Sequence, residues 1–324
     1  MKPILVTGSN RSGTTWVGAA LGQSGEVEYL HEPFNSSIWP RSLARSPGGH
    51  YLYVCEENKQ EWQPSVERLL RYRFPVRSQV PEVRSPRDAA KLARDWARSG
   101  VRKARHRRPL LKDPIALFAS EWLAQRFDMD VVVMVRHPAA FASSIKRLRW
   151  AFDFQFWLDQ PLLMRDHLEP LRPELERMVS TSPDHVEQAI VLWNAFYSVV
   201  DRLRARHPDW HVLNYEDLAE APVDGFARLY PALGLRFDDE VARRVGAFSA
   251  EANVKEVAAS DKGTVRRDSR AAKWTWRRRL TPEEIERVRA GTRSVASRFY
   301  DASAWEPPTG DTASSSGASV ASQP

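Results

Sequence analysis

Residues 8–16 form a glycine-bearing loop whose composition suits anion binding. They follow a short apolar run and have the sequence Gly-Ser-Asn-Arg-Ser-Gly-Thr-Thr-Trp. Such a turn between a strand and a helix points several backbone N–H groups at one phosphate. Gly8 and Gly13 have the spacing of a Walker loop, but Thr14 stands where a nucleotide triphosphatase needs lysine. The positive charge lies inside the loop instead, at Arg11. The loop therefore predicts phosphate binding of a kind different from that of the triphosphatases.

A second pair of phosphate-binding side chains follows the strongest apolar run, residues 131–135. Arg136 comes directly after this run, and Pro138 suits the first turn of a helix. Ser144 lies eight residues after Arg136, about two turns into that helix. We therefore expect Arg136 and Ser144 to reach one phosphate.

Together the two motifs resemble those of the sulfotransferases that use 3′-phosphoadenosine 5′-phosphosulfate (PAPS), in their carbohydrate-type and bacterial branch. Arg-Ser-Gly-Thr-Thr-Trp is similar to the family's 5′-phosphosulfate loop, and Arg-x-Pro with a later Ser is similar to its 3′-phosphate motif. The resemblance implies that the 3′-phosphate is held by Arg136 and Ser144. It implies that the 5′-phosphosulfate is held by Arg11, Ser12, Gly13, Thr14 and Thr15. Trp16 stands where some members stack adenine, and core packing is its alternative role.

The same resemblance gives chemical roles to residues at two other strand ends. In carbohydrate-type members the Glu of a Glu-Pro segment is the general base, so Glu32 is the first candidate. His31, with an unperturbed pKa of about 6.5, is the alternative base. Lys112 resembles the lysine that faces the sulfuryl group in glycan-modifying members, where it would act together with Arg11. The chain lacks the Lys-Thr-His segment of the cytosolic small-molecule members, which favours a carboxylate base. An ion pair with an arginine is the alternative role for Glu32.

Two C-terminal segments complete the expected donor site. Residues 215–218 resemble the family's Tyr-Glu-Asp-Leu segment, for which we expect a structural role, with Tyr215 as a candidate to line the adenosine site. Residues 261–267 resemble the basic loop that closes over the nucleotide. The candidate contacts of this loop are Lys262, Gly263, Arg266 and Arg267. Sulfuryl transfer resembles phosphoryl transfer, in which positioning and charge stabilisation supply most of the catalysis, and it has no obligatory metal.

The elements that must position these residues follow from the apolar pattern. Short apolar runs predict buried strands, and segments with a 3.6-residue period predict helices between them. The predicted strands are residues 4–7, 27–30, 110–112, 131–135 and 211–214. The clearest predicted helices are residues 14–23, 116–126, 138–148 and 186–206. This alternation predicts a P-loop-like α/β fold, a doubly wound parallel sheet of about five strands flanked by helices, which binds its ligands at the carboxyl ends of the strands.

Two long segments interrupt this alternation. Residues 40–108 are rich in Pro, Arg and aromatic residues, and residues 149–185 begin with a run of aromatic side chains. We expect both to be helical or irregular insertions that cap the strand ends. The sequence thus predicts a single domain over residues 1–306. Residues 307–324, which are mostly Ser, Ala, Gly and Pro, are expected to be disordered.

Composition limits the class of protein. With 42% hydrophobic residues in 324, the chain can bury a core. Its formal charge of +7 suits an anionic ligand, although 39 Arg against 9 Lys can equally reflect genome composition. Cys55 is the only cysteine, which excludes an internal disulfide and a cysteine-based zinc site. The first strand leaves no room for a signal peptide, and no apolar run approaches the roughly 18 residues of a transmembrane helix. A cytoplasmic location is therefore expected.

Other functional classes remain as alternatives to a sulfotransferase. A P-loop nucleotide kinase would need the missing lysine and an acidic strand end that binds Mg²⁺. A nucleotide-binding module without turnover would keep the donor site and lack sulfate transfer. A basic RNA-binding protein is not favoured, since the basic residues are dispersed and no recognised RNA motif is present. We therefore expect no nucleic-acid partner.

The acceptor is expected to be a hydroxyl, and less readily an amine, of a sugar-containing molecule, a glycolipid or a secondary metabolite. This expectation follows from the resemblance of Glu32 and Lys112 to carbohydrate-type members. The chain also holds 12 Trp, and aromatic faces suit sugar rings. The candidates in the insertions are Trp39, Trp62, Trp150 and Trp157, with cap packing as the alternative for each. The aromatic stretch 150–157 is also a candidate for peripheral contact with a membrane.

Overall fold

A parallel β-sheet forms the centre of the computed structural model, which describes residues 2–249 and 273–306. Its five strands are β1 (Ile4–Gly8), β2 (Val27–His31), β3 (Arg108–Lys112), β4 (Asp130–Val135) and β5 (His211–Asn214). Their spatial order is β2-β3-β1-β4-β5, and every neighbouring pair is parallel. The predicted strands and the α/β class are confirmed.

Helices cover both faces of the sheet. In the described residues they are α1 (Thr14–Leu21), α2 (Gln63–Leu70), α3 (Val76–Gln79), α4 (Pro86–Arg105), α5 (Ser120–Phe127), α6 (Pro138–Leu148), α7 (Gln155–Leu158), α8 (Pro161–Leu163), α9 (Arg172–Ser180), α10 (His185–Arg206), α11 (Tyr215–Glu220), α12 (Pro222–Ala232), α13 (Asp239–Ser249) and α14 (Pro282–Ala296). Short 3₁₀ turns lie at Gly22–Ser24, Lys59–Glu61, Val80–Glu82, Pro114–Ala119, Glu169–Leu171, Thr275–Arg278 and Ala302–Trp305, and a π-helical turn lies at Met164–Leu168. Within these ranges no helix is both long enough and apolar enough to cross a bilayer.

The core divides into two clusters because successive side chains of a strand point to opposite faces of the sheet. Leu5 of β1 belongs to the larger cluster, which also contains side chains of α5, α6 and α10. Its neighbours Ile4 and Val6 belong to the smaller cluster, which contains side chains of α1, α12 and α13. All five residues of β1 are buried, as expected for the central strand of a sheet covered on both faces.

The predicted helices agree with the structure except at their ends. The segment expected to be helical at 116–126 begins as the 3₁₀ turn Pro114–Ala119 and becomes α-helical only at Ser120. Asp113 caps this turn, since its side chain accepts a hydrogen bond from the backbone N–H of Ile115. The helix expected at 138–148 has those bounds and starts at Pro138, which needs no N–H partner in the first turn.

The two segments expected to be insertions are largely helical. Residues 40–108 contain α2, α3 and α4 and end in the first residue of β3. Tyr51 and Trp62 from the first segment and Trp157 from the second lie in the larger core cluster. The side chain of Trp157 is 0% exposed, so the expectation that it meets an acceptor or a membrane is wrong, and its alternative role in packing is confirmed. Burial of Trp62, which is 5% exposed, leads to the same conclusion.

Candidate active site

The phosphate loop joins the centre of the sheet to α1. Gly8 has φ 146°, and a Cβ there would lie 2.5 Å from the carbonyl oxygen of Met134 on β4. Gly13 has φ 98°, and a Cβ there would lie 2.5 Å from the Tyr215 ring. Both positions therefore require glycine, for conformation and for space. The loop turns over the end of β1 and enters α1 at Thr14, with no side-chain cap from the described residues on the first turn of that helix.

Three hydrogen bonds made by side-chain hydroxyl groups hold the loop in shape. The Ser12 hydroxyl donates a hydrogen bond to the carbonyl oxygen of Ser9 at 2.7 Å. The Ser9 hydroxyl in turn lies 2.8 Å from the hydroxyl of Tyr197 on α10. The hydroxyl of Tyr51 accepts a hydrogen bond from the backbone N–H of Asn10 at 2.8 Å. The loop is thus fixed both by the sheet-covering helix α10 and by the first insertion.

Arg11 connects the loop to the second phosphate-binding motif. Arg11 is exposed, and its Nε donates a hydrogen bond to the Ser144 hydroxyl on α6 at 3.0 Å. Ser144 was expected to share a phosphate with Arg136, and in this structure it pairs with the loop cation. The contact places the residues expected to bind the 5′- and 3′-phosphates on one continuous surface.

Arg136 lies buried at the end of β4. Its guanidinium group is 3.3 Å from Glu216 and 3.7 Å from the centre of the Tyr215 ring. Burial opposes the charged form, but the Glu216 carboxylate prevails and holds the pKa of Arg136 above its ordinary value. Glu216 also accepts hydrogen bonds from the His137 backbone N–H at 3.2 Å and from the Tyr300 hydroxyl at 2.8 Å. Glu216 therefore orients a cation that remains charged at any working pH.

Tyr215 and Trp16 form the wall behind the loop. Their rings meet edge-on with centroids 5.4 Å apart, and Trp16 makes a similar contact with Phe226 at 5.5 Å. Trp16 is only 8% exposed and belongs to the smaller core cluster, which agrees with its alternative role in packing. Tyr215 lies between the Gly13 backbone and the Arg136 guanidinium group.

Glu32 and Lys112 form an ion pair at the ends of β2 and β3. The parallel register places His31 opposite Lys112, so Glu32 is the first residue beyond the sheet. Its Oε1 lies 2.5 Å from Lys112 Nζ, and its Oε2 accepts a hydrogen bond from Asn35 at 2.7 Å. Burial favours the neutral carboxyl, but Lys112 and Asn35 outweigh it and lower the pKa of Glu32. Burial also lowers the pKa of Lys112, and Glu32 opposes this effect.

The Lys112 side chain packs against helix α1 on its way to Glu32. Its side chain is 0% exposed, and a Cβ on Gly18 of α1 would lie 2.8 Å from its Cγ. The helix that follows the phosphate loop therefore rests directly on the stem of Lys112, and Gly18 supplies the necessary space. This packing fixes the ammonium group relative to the loop.

Asp113 fixes the segment that carries Glu32. Its carboxylate is fully buried and accepts backbone hydrogen bonds from Phe34 at 2.6 Å and from Ile115 at 3.0 Å. Burial raises the pKa of Asp113 to about 7, because the hydrogen bonds only partly compensate for the loss of water. Glu32 itself has φ 43°, an unusual conformation for a residue with a side chain, and its N–H bonds to the Lys112 carbonyl at 2.8 Å.

Two histidines lie close enough to Glu32 to be influenced by its charge. His31 Nε2 is 3.9 Å from Glu32 Oε1, and its Nδ1 is 3.2 Å from the Tyr29 hydroxyl. Burial, followed by the charge of Lys112, lowers the pKa of His31. His50, from the first insertion, packs against Trp150 with ring centroids 6.2 Å apart and feels the charge of Glu32. Burial lowers the pKa of His50 in spite of that charge.

The strand order arranges these groups in a row along one edge of the sheet. Glu32 follows β2, Lys112 ends β3, the loop follows β1, Arg136 follows β4 and Tyr215 follows β5. Neighbouring strands lie about 4.8 Å apart, so the row from Glu32 to Arg136 spans roughly 14 Å. An extended ligand with two anionic groups can lie along this row.

Most of the predicted site residues are brought together by the structure. Lys262, Gly263, Arg266 and Arg267 lie outside the described residues. The contacts of Tyr51, Tyr197 and Asp113 were not predicted. Tyr197 and Asp113 follow ordinary helix and strand patterns, and Tyr51 lies in an insertion without a motif. Its φ of 66° is visible only in the structure.

Comparison with known families agrees with this geometry. Residues 3–239 match the model of the sulfotransferase family, which is more than half of the chain. The chain belongs to this family.

A curated relative supports the assignment. Carbohydrate sulfotransferase 4 of Mus musculus is 26% identical to this sulfotransferase over 265 residues, which are 72% of this chain and 66% of that protein. The chain thus spans about two thirds of the length of this relative.

Solved sulfotransferase structures show similarity at low sequence identity. The sulfotransferase domain of the Synechococcus PCC 7002 olefin synthase is 17% identical with a TM-score of 0.49, over 93% of this chain and 95% of that one. A sulfotransferase from Alicyclobacillus acidocaldarius is 17% identical with a TM-score of 0.44, over 94% of this chain and 98% of that one.

The site of this sulfotransferase fits the PAPS that the family uses as its donor. Glycine-dependent loop geometry, the exposed Arg11 and the buried, oriented Arg136 provide two separate positions for anionic groups. Across the ranges 2–249 and 273–306, no group of His, Cys, Asp and Glu side chains is arranged to bind a metal ion.

Proposed function

We propose that this sulfotransferase moves a sulfuryl group from PAPS to a hydroxyl group of a sugar-containing acceptor by in-line displacement, with Glu32 as the general base. The observation that carries the proposal is the Glu32–Lys112 pair, which joins a carboxylate and a buried cation beside the phosphate loop. The similarity to a carbohydrate sulfotransferase supports a carbohydrate hydroxyl as the acceptor.

The donor would lie along the row of strand ends. The backbone of the loop, Ser12 and the first turn of α1 would bind the 5′-phosphosulfate, with Arg11 beside it. Arg136 and Ser144 would bind the 3′-phosphate, and Tyr215 would face the adenosine. When bound, PAPS supplies the activated sulfuryl group and leaves as adenosine 3′,5′-bisphosphate.

Glu32 would remove the acceptor proton. Its lowered pKa keeps the carboxylate ionised near neutral pH, which a base requires. The acceptor hydroxyl would donate to Oε1 or Oε2 and transfer its proton there as the new bond to sulfur forms. An anionic group at the loop would compete with Glu32 for the ammonium of Lys112. Any such competition weakens the Lys112–Glu32 attraction and makes the carboxylate a stronger base.

Lys112 and Arg11 would supply the charge stabilisation for which many transferases of charged groups use a metal. Lys112 is held by burial and by Gly18, so little reorganisation is needed when negative charge develops. On this basis we propose catalysis without a metal ion.

The acceptor would approach from the side of β2. His31 lies 3.9 Å from Glu32 there, Tyr29 and His50 are close enough to be influenced by its charge, and Trp150 packs next to His50. Trp150 is half-buried and can present part of its ring to a sugar. Because Trp62 and Trp157 are buried, they have no part in this surface.

Transfer of labelled sulfate from PAPS to a panel of sugars, glycolipids, phenols and amines tests the proposal. Sugar hydroxyls are expected to be sulfated, with no requirement for divalent metal, and Glu32→Gln should lower turnover roughly 10²–10⁴-fold while leaving adenosine 3′,5′-bisphosphate affinity unchanged. Glu56→Gln, an exposed carboxylate paired with Lys59, is the control. Sulfation of amines or phenols alone would contradict the acceptor class. Near-normal turnover by Glu32→Gln would move the role of base to His31.

A further inference from the structure

Helix α4 is about 30 Å long and touches the rest of the protein along a narrow stripe. This stripe consists of residues spaced three and four apart, of which only two are buried: Asp88, Leu92, Asp95, Ser99 and Arg102. At its end, Arg102 bonds to Glu28 at 3.1 Å and to the Tyr29 carbonyl at 3.4 Å, so α4 lies against the edge strand β2. Outside the stripe, Lys91 contacts Trp39 and Arg105 lies 3.8 Å from Glu28, and the remaining side chains of α4 are exposed.

The outward surface of α4 includes an apolar face, which we call the free face. Its members are exposed and recur at helical spacing: Ala89, Ala93, Trp96, Ala97, Gly100 and Ala104. Trp96 is 61% exposed, and Val101 at the border of this face is 52% exposed. A large exposed tryptophan surrounded by small residues is unusual on a water-facing helix, where polar residues are expected.

Basic side chains border the free face. Arg87, Arg94, Arg98 and Arg105 form one row at intervals of seven, four and seven, and Lys103 lies on the other border. Arg94 and Arg98 share one carboxylate, that of Asp95, at 2.9 and 3.5 Å. Residues 86–105 carry seven Lys or Arg and two Asp, a net +5, while the whole chain carries +7. Most of the net charge of the protein is thus concentrated on this helix.

This charge decides between two occupants of the free face. A second copy of the chain would bring two helices of net +5 together, and their repulsion would be strong in a contact from which water is excluded. An anionic membrane surface attracts the same residues. A face of small apolar residues, with Trp96 and Lys103 at one border and the row of arginines beyond the other, suits the boundary between headgroups and acyl chains. We propose that α4 docks this protein on an anionic lipid surface through the free face and the basic residues at its two borders.

Docking through α4 would also place the active site near the membrane. Lys91 on α4 lies over the Trp39 ring at 5.5 Å, and Trp39 follows Glu32 by seven residues in the chain. Arg102, at the other end of α4, bonds to the carbonyl of Tyr29 on β2, so the helix runs along the part of the chain that carries Glu32. Resting on the proposed function, this geometry indicates that the acceptor is a glycolipid whose sugar lies at the membrane surface.

Vesicle co-sedimentation of the full chain tests the docking without any turnover. Binding is expected to vesicles of phosphatidylcholine mixed with phosphatidylglycerol, not to phosphatidylcholine alone, and it should be lost at high salt. The double variant Arg87→Ala, Arg98→Ala should lower partitioning by about 25-fold, at about fivefold per charge. Trp96→Ser should lower it roughly tenfold. The matched control, Arg228→Ala with Arg243→Ala, removes two exposed charges elsewhere and should bind as the parent does.

Several outcomes would overturn the docking proposal. The parent could fail to bind the anionic vesicles at physiological salt. The control variant could lose as much vesicle binding as the Arg87→Ala, Arg98→Ala variant. Vesicle binding could also be unchanged by the Trp96 and arginine substitutions. A parent dimer that Trp96→Ser converts into a monomer would identify a second copy as the occupant. Sulfation of a soluble sugar at unchanged rate in Trp96→Ser shows that the enzyme is intact. Failure of vesicle binding with intact turnover would reject the docking and leave the proposed function standing.

Discussion

The hydroxyl of Tyr51 accepts a hydrogen bond from the backbone N–H of Asn10 at 2.8 Å. Tyr51 belongs to the first insertion, has a φ of 66° and is fully buried. Its ring packs on Phe196 with centroids 4.4 Å apart and on Trp157 of the second insertion at 6.1 Å. One side chain thus connects both insertions to the phosphate loop, and the strained backbone at Tyr51 is the kind that persists at functional sites.

Tyr51→Phe should weaken donor binding. The variant keeps the ring and removes the acceptor of the Asn10 N–H, which costs about 1–3 kcal/mol and loosens the loop. Calorimetry with adenosine 3′,5′-bisphosphate should therefore show a weaker complex. Tyr53→Phe is the matched control, since the Tyr53 hydroxyl bonds to Asp166 and not to the loop. Equal affinity losses in both variants would show that the effect is general destabilisation.

Arg136→Ala should remove the preference for a 3′-phosphate. We expect the affinity for adenosine 3′,5′-bisphosphate to fall by about 1.5–3 kcal/mol, because a charge-assisted contact is lost. Affinity for adenosine 5′-monophosphate should change little, and calorimetry with the two ligands measures the difference. Since the substitution leaves Glu216 buried without its partner, Arg136→Met with Glu216→Gln serves as the second variant. Equal losses for both ligands would place the 3′-phosphate elsewhere.

Lys112→Met should shift the acid limb of the pH–rate profile to higher pH. Glu32 must be ionised to act as a base, and Lys112 is the main group that opposes the effect of burial on its pKa. Without the ammonium group the pKa of Glu32 rises, so activity should begin to fall at a higher pH than in the parent. Turnover at the optimum should also fall, by roughly 10²–10³-fold. Lys59→Met, which removes an exposed lysine paired with Glu56, should leave the profile unchanged.

Asp113 should make the protein less stable as pH rises. The pKa of Asp113 is about 7 in the folded protein and about 3.9 in the unfolded chain. Its favourable contribution to the free energy of unfolding is therefore fully present below pH 4 and is lost as the pH rises through 7. The difference in unfolding free energy between the parent and Asp113→Asn should therefore decrease between pH 5 and 8, by at most about 4 kcal/mol. Urea midpoints at several pH values measure this difference. A difference that is constant or that grows with pH would mean that the carboxyl stays ionised.

The sequence predicted the sheet well because its strands are short, apolar and buried on both faces. It placed Glu32 and Lys112 at strand ends, yet it gave no order of the strands. The two residues are 80 positions apart and meet only because β3 lies beside β2 in a register that pairs His31 with Lys112. That register depends on packing between distant segments, which local patterns do not encode.

Residues in the insertions were harder to predict. The aromatic run beginning at Trp150 suggested a membrane contact, but helical packing turns Trp157 into the core. Trp96 lies in a stretch of Ala and Arg that gives no sign, in sequence alone, of which side of the helix faces the protein. Hydrophobicity identifies side chains that avoid water, and only the fold shows which of them remain exposed.

The order β2-β3-β1-β4-β5 has a consequence for synthesis on the ribosome. β1 is made first, but its two neighbours in the sheet are β3 and β4, which end at residues 112 and 135. At about 5–20 residues per second, roughly 5–21 s separate the synthesis of β1 from that of β3. During this time Ile4, Leu5 and Val6 have no neighbouring strand to pair with, although they are 0% exposed in the finished protein. The phosphate loop therefore leaves the ribosome before either strand that flanks β1 in the sheet, and its final shape depends on segments that are made later.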